Sequence, residues 1–462
     1  MIVRLAIRTL FAHPVRSGVL AAGFGVGVAV MAILLGVAEV VLDQARSPGL
    51  VGGGDVLISG VDGRVSSARL LLTGTLRTPP LAGRLRAASP WTRETLYLVG
   101  ANGDTTEVRV RAGIPSLERA VGDPETSGEP AWTDSPRDTA WVSPDPAAML
   151  RLIDGFHPIP DVPARAHSWA EWLYFNGRSS RARFYLTFLV GPADANGQRT
   201  GGVRLQLDRG QGLESFSAAA DLRPEMVAAA PELTIAGNHI RLRGMEYRVT
   251  LNLQDRSKRT LTGELVIEAA PGRLMPPLEI HGAAGWRSGY VVPVMSGRLD
   301  GALVVDGQRL TFDDGVGYHD HNWGFWEGVS WQWGQVQHGD LSIVYGRIFP
   351  PADAADADRI PGFLALIGPD GPVGYATNVL IDEENAAETS QPSVITVTAR
   401  SISLDLTARF SVETIASNRI PGPLASTMDF LQMRGLYRVE GKAADRALAF
   451  EAQGSAETFR GR

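Results

Sequence analysis

Cysteine is missing from all 462 residues, which excludes disulfides, thiolate metal centres and a cysteine nucleophile together. Basic tracts are missing beyond the first 16 residues and the net charge is −6, so no nucleic-acid footprint is expected. Long apolar runs are scarce. One stands out, Gly18 to Ala38, 21 residues without a charge, long enough to cross about 30 Å of hydrocarbon as a helix. Arg4, Arg8 and Arg16 precede it, and Glu39 and Asp43 follow. The positive-inside rule then keeps the first residues cytoplasmic and exports the rest. Gly36-Val37-Ala38 would suit a signal-peptidase site, but the apolar run exceeds a usual signal core of about 7–15 residues, so an uncleaved anchor is the expectation. The protein is expected in the inner membrane, single-pass, with its bulk periplasmic.

Glycine and proline, by contrast, are plentiful at 52 and 29, and they are scattered. That pattern favours many short elements joined by turns. Strand-length runs with polar and apolar residues alternating recur from Trp169 onward, as in Val249-Thr250-Leu251-Asn252-Leu253. The expected fold is mainly β, with two consecutive antiparallel barrels or sandwiches behind the anchor and a small β-rich region. The expected boundaries are a basic lead at 1–16, the anchor at 17–42, a small extracytoplasmic β-rich region at 43–120, a Pro/Asp-rich linker at 121–165 with a short helix at Pro146–Asp154, a first barrel at 166–305 and a second at 306–462.

The most informative stretch is Gly317 to Gly324, GYHDHNWG. Four of the ten tryptophans (Trp323, Trp326, Trp331, Trp333) and three of the eight histidines (His319, His321, His338) fall within twenty residues. On a strand, His319, His321 and Trp323 share one face, and Asp320 and Asn322 share the other. Three uses of such a constellation stand open. Asp320 or a histidine could act as general acid toward a double bond, with tryptophan faces stabilising a carbocation. His319 and His321 could ligate a metal with His338 or Asp340. Or the polar groups could form a satisfied network without chemistry.

GYHDHNWG, the upstream Glu171-Trp172-Leu173-Tyr174-Phe175-Asn176-Gly177, the Gly289-Tyr290 before Pro293 and the closing Glu457-Thr458-Phe459-Arg460-Gly461 together resemble the lipocalin-like carotenoid 1,2-hydratase/AttH family over roughly 165–462. Leu173 departs from the commoner tryptophan at its position. The resemblance implies two lipocalin-like barrels with a site for a long apolar ligand near their junction, and in the hydratases an acid-first addition of water to an isoprenoid C=C. It implies catalytic roles for Asp320, His319, His321, Trp323 and Tyr345. It further implies ligand contacts from Glu171, Trp172, Tyr174, Asn176 and Asn322, and we add Trp326, Trp331, Trp333 and Arg347 to that wall. The hydratases carry a Tyr and an Asp on the strand after the motif, and the comparable Tyr345-Gly346-Arg347 places arginine at the acid position. Arg347 would instead suit a carboxylate or phosphate head group. The N-terminal 40 residues loosely resemble the opening helix of FtsX/MacB-like ABC permeases. The leading expectation is thus a membrane-anchored protein binding a lipid or isoprenoid, beside an ABC permease and ATPase, and the alternative is a hydro-lyase. No cofactor or metal is expected.

Overall fold

The computed structural model describes most of residues 65–461 and isolated positions between 12 and 59; residues 66, 103, 124–131, 211, 388, 390 and 422–426 lie outside the described residues. The expected anchor at 17–42 falls largely outside them too. Among the described residues no helix is long and apolar enough to cross a membrane.

The chain divides into two units. The smaller comprises residues 1–63 and 86–138. Its described part holds an antiparallel hairpin, β1 (Trp91–Val99) with β2 (Thr105–Gly113), followed by helix α1 (Pro115–Val121). Glu118 on α1 is buried, takes the Ser89 hydroxyl at 2.5 Å and pairs with Arg111. Of the β-rich region expected over 43–120, this hairpin is the sheet structure among the described residues.

The larger unit carries residues 64–85 and 139–462 and contains two antiparallel sheets. Its first sheet is built from β3 (Trp169–Arg178), β4 (Arg183–Ala193), β5 (Arg199–Asp208), β6 (Leu213–Leu222), β7 (Leu233–Ile235), β8 (Asn238–Arg243), β9 (Glu246–Gln254), β10 (Thr260–Glu268), β11 (Met275–His281), β12 (Arg287–Val305), β13 (Gln308–Thr311) and β14 (Gly315–Phe325). Pairing of β10 with both β12 and β9 closes a ring through β14, β3, β4, β5, β6 and β9. The mainly β, barrel-like architecture expected from the alternation is what forms. A closed ring leaves few free edges, and each strand turns every second side chain inward. Phe175, Phe184, Phe188, Phe216 and Tyr247 are fully buried there, so side chains occupy this core.

The second sheet runs β18 (Gly371–Ala376), β17 (Phe363–Gly368), β16 (Leu341–Phe349), β15 (Ser330–His338), β23 (Arg446–Gly461), β22 (Thr427–Ala443), β21 (Leu404–Pro421), β20 (Pro392–Arg400), β19 (Asn378–Asn385). Its own core gathers Tyr345, Leu364, Val397, Phe410 and Tyr437.

One expectation needs correction. GYHDHNWG lies on β14 within the first sheet, not in the second barrel where the boundary at 306 put it. The reason is pairing: β14 lies against β3 in continuous register, with Asp320 opposite Tyr174, Asn322 opposite Trp172 and Trp323 opposite Glu171. The two most informative motifs are therefore adjacent strands. The segment at 121–165 holds the short helix expected at Pro146–Asp154. It carries α2 (Pro136–Val142) and then α3 (Pro146–Ile153), whose Asp145 caps it by accepting from Ala148 N at 2.9 Å and whose Met149, Leu150 and Ile153 pack into the first core. Past α3 the chain sends Asp154 into that core, fully buried.

Candidate functional site

Strand alternation splits β14 into two environments. His319, His321 and Trp323 point into the first barrel, and both imidazoles are completely buried. The His319 ring stacks on Phe175 at 4.0 Å and meets Tyr174 O at 2.9 Å through Nδ1 and Asp154 Oδ2 at 3.0 Å through Nε2. His321 meets Asp154 Oδ1 at 3.1 Å through Nδ1 and Glu171 Oε1 at 2.9 Å through Nε2. Glu171 also accepts from His157 N, at 3.0 and 3.1 Å, and touches His157 Nδ1 at 2.7 Å.

Both nitrogens of His321 thus face carboxylates, and only an imidazolium donates to both. The electrostatics agree. Burial alone would lower the His321 pKa, yet the hydrogen bonds and charges of Asp154 and Glu171 lift it to about 9. Burial alone would raise Asp154, and the two histidines bring it down to about 2. Glu171 is likewise held below its usual range by His157 and His321 against the effect of burial. Both nitrogens of each histidine and both oxygens of Asp154 and Glu171 are answered, which describes a closed structural network.

Single ligand atoms from His157, Glu171 and His321 lie within 4.8 Å of one another, the kind of donor set that takes a metal ion. Their 2.7 and 2.9 Å contacts are hydrogen-bond lengths, however. Two donors at tetrahedral angles on a zinc ion would sit roughly 3.3 Å apart. The pairing of His319 and His321 with His338 or Asp340 is not assembled: His338 stacks on Phe450 at 4.6 Å and Asp340 O accepts from Arg273.

The opposite face of β14 and β3 meets the second sheet along a polar seam. Trp172, Tyr174 and Asn176 project from β3, Tyr318, Asp320 and Asn322 from β14, Trp331, Trp333 and Gln335 from β15, and Gln432, Ser455 and Glu457 from β22 and β23. Gln432 Nε2 donates to Tyr174 Oη at 2.6 Å, Trp333 Nε1 to Tyr318 Oη at 3.1 Å, and Gln335 Nε2 to Ser455 Oγ at 2.9 Å and Asn176 Oδ1 at 3.3 Å. A narrow cleft opens between them, lined by Tyr174, Tyr318, Trp333, Gln432 and Glu457 among others.

Two carboxylates belong to this seam. Asp320 is 2 % exposed and accepts from Asn322 Nδ2 at 2.7 Å; burial raises its pKa to about 6, against the Tyr318 hydroxyl and the charge of His319, which pull it down. Glu457 accepts from Trp331 Nε1 at 3.3 Å; burial first, then the charge of Asp320, lift it to about 8. Burial thus favours the protonated form of both acids, Glu457 more than Asp320, and the charge of Asp320 adds to the rise at Glu457. Beside Glu457 stands an aromatic wall. Trp331 stacks on Phe459 at 4.4 Å and lies 5.9 Å from Trp172 and 5.4 Å from Trp326.

Of the residues expected at the site, Trp172, Tyr174, Asn176, Asp320, Asn322, Trp326, Trp331 and Trp333 face the seam or its aromatic wall. His319, His321 and Glu171 do not, because their strand positions turn them inward. Trp323 also turns inward, stacking on His157 at 4.0 Å and donating to Glu279. Tyr345 sits in the second core against Tyr437 Oη at 3.0 Å. Arg347 donates to Ala357 O at 3.2 Å and covers the Phe349 ring, away from the seam. Asp154, His157, Tyr318, Gln432 and Glu457 were not assigned roles from sequence. Glu457 lies in the closing motif, and nothing local distinguished its glutamate as the second acid.

No family model and no curated protein matches the chain. Among solved structures it is similar to a protein described as AttH from Nitrosomonas europaea (14 % identity, 66 % of this chain and 99 % of that one, TM-score 0.44). It is similar also to CghA with Sch210972 (11 %, 66 % and 94 %, TM-score 0.45) and to kievitone hydratase from Nectria haematococca (12 %, 65 % and 93 %, TM-score 0.44). With TM-scores below 0.5, the chemistry of the seam is read from its own residues alone.

Proposed function

We propose that the seam is an acid–base site that adds water to a carbon–carbon double bond of an apolar substrate, the chemistry that the hydratase resemblance implies. The carrying observation is two buried acids of the seam, Asp320 and Glu457, the charge of the first felt by the second and Trp331 donating to Glu457, with pKa values raised to about 6 and about 8. Protonated Glu457 gives its proton to one alkene carbon. The cation that develops on the other carbon is stabilised by the Trp331 and Trp172 faces and by ionised Asp320. Water adds to that carbon, and Asp320 takes the proton that water loses. Return of this proton to Glu457 resets the pair, so the balance is alkene plus water giving alcohol.

A passive carrier would not need a protonated buried acid, and the polar clefts of the seam, rather than the side-chain-filled sheet interiors, support it as the place of chemistry. The apolar stretch Gly18–Ala38 supports a tether that keeps the seam beside a membrane, the source of apolar substrates, with an ABC permease as neighbour. Membrane fractionation of the full chain tests that placement. Hydration itself is tested by incubating acyclic polyenes with the protein in ¹⁸O water and reading the product mass. Glu457→Gln and Asp320→Asn should each lower turnover by about 10²–10⁴-fold. Label incorporation that is equal in wild type and the double variant sinks the reading.

A further inference from the structure

The seam continues past Asn176, Gln335 and Ser455, which line the carboxylate cleft and a second one beside it. This second cleft is walled by Arg178 of β3, Arg183 and Tyr185 of β4, and Gln337 of β15. Arg178 Nη1 donates to Gln453 O at 2.6 Å and Nη2 reaches Gln337 O at 3.5 Å; Arg183 Nη1 donates to Gly454 O at 3.3 Å. Neither guanidinium meets a carboxylate among the described residues. Asp208, opposite Arg183 on β5, turns to Arg434 and to Gly210 N at 2.8 Å. Glu413 stands 3.7 Å from Arg434 and takes the Gln453 amide at 2.9 Å.

Two part-buried cations therefore sit beside one another as cross-strand partners, answered by neutral carbonyls and, for Arg183, by the Tyr185 hydroxyl. Burial and then the charge of Arg183 depress the Arg178 pKa, a sign that its positive charge is poorly compensated. Proteins seldom keep such a pair unless an anion completes it. The planar forks of arginine suit the two oxygens of a carboxylate or phosphate.

We propose that Arg178 and Arg183 hold the carboxylate or phosphate head of the substrate, so that the molecule is an anionic amphiphile with its apolar, unsaturated tail at Asp320 and Glu457. The head-group subsite stands on the arginines alone, while the placement of the tail rests on the hydration reading above. The role given to Arg347 from sequence passes to this pair.

The test measures binding by the full chain of three unreactive probes: dodecyl phosphate, dodecanol and inorganic phosphate. Dodecyl phosphate should bind at least tenfold tighter than dodecanol. That advantage should shrink toward unity in Arg178→Met and Arg183→Met and persist in Glu457→Gln. It should also fall as salt is raised, a readout on wild type that decides the matter if a methionine variant does not fold. Arginines that merely strap the sheets together would leave the ratio of the two affinities unchanged. Equal affinity for dodecyl phosphate and dodecanol overturns the subsite and leaves hydration standing. Inorganic phosphate binding as tightly as dodecyl phosphate overturns the amphiphile. Clear head-group discrimination with no hydration of any polyene overturns the chemistry alone.

Discussion

Replacing Asp154 with asparagine tests whether the histidine face of β14 is a structural clamp. Asp154 gives one oxygen to His319 and the other to His321, both at about 3 Å with no solvent exposure. Asparagine offers a single carbonyl oxygen, and its amide hydrogens would confront ring N–H groups. The rise of His321 from 6.5 to about 9 corresponds to about 3 kcal/mol, shared between Asp154 and Glu171. Leaving an imidazolium buried with half its partners costs about 3–5 kcal/mol by comparison with other broken buried pairs. Because the folded pKa of His321 is raised, its contribution is complete below pH 6.5 and is lost as pH rises through about 9. Because that of Asp154 is lowered, its contribution is present above pH 3.8 and fades as pH falls toward 2. The gap between wild type and Asp154→Asn in urea unfolding should therefore be widest between about pH 4 and 6.5 and narrow toward pH 9. A gap below about 1 kcal/mol at pH 5.5, or one that widens above pH 6.5, would refute the clamp.

Three further outcomes are expected. Turnover should follow a bell with limbs near pH 6 and pH 8, since Asp320 must be ionised and Glu457 protonated; a profile flat from pH 5 to 9 excludes the pair. Gly177→Ala should destabilise by roughly 1–3 kcal/mol in thermal unfolding, because the added carbon would stand 2.5 Å from Leu299 Cδ2 and from Phe184 Cε1; an unchanged melting temperature contradicts the packing around β3. Arg347→Ala, away from the seam, should leave the affinity for dodecyl phosphate within twofold of wild type, and a tenfold loss would restore the head-group role read from sequence.

The fold class was legible because alternation within strands is local: Val249-Thr250-Leu251 declares a wet and a dry side before any partner is known. The split of GYHDHNWG into an imidazole face and an Asp320 face followed from the same periodicity. What could not be read was which face meets what. That β14 pairs with β3 across about 140 residues is a long-range register, and it moved the motif out of the second barrel. Asp154 was visible as the end of a short helical stretch, yet its burial between two histidines depends on where α3 docks. Glu457 comes from the last strand of the chain, and only the meeting of β23 with β15 sets it near Asp320. Its burial, not its neighbours in sequence, makes it an acid at neutral pH. Arg347 was misplaced for a related reason: it lies opposite Gln332, on the side of β15 turned away from the seam.

The two faces of β14 are mechanically one object. A shift of one residue in its register would exchange them, placing Asp320 in the apolar core and His319 in the seam. The ionic network resists that shift, since His319 and His321 reach Asp154 and Glu171 only in the observed register. The histidines and Asp154 are thus positioning residues for Asp320, although none of them lines the seam. Loss of the clamp should then lower the rate of hydration and lift only the acid limb, because the charges of His319 and His321 help hold Asp320 down, while the limb set by Glu457 stays near pH 8. Histidines that themselves carried protons to the substrate would move the basic limb as well, and the pH profile of Asp154→Asn separates the two roles.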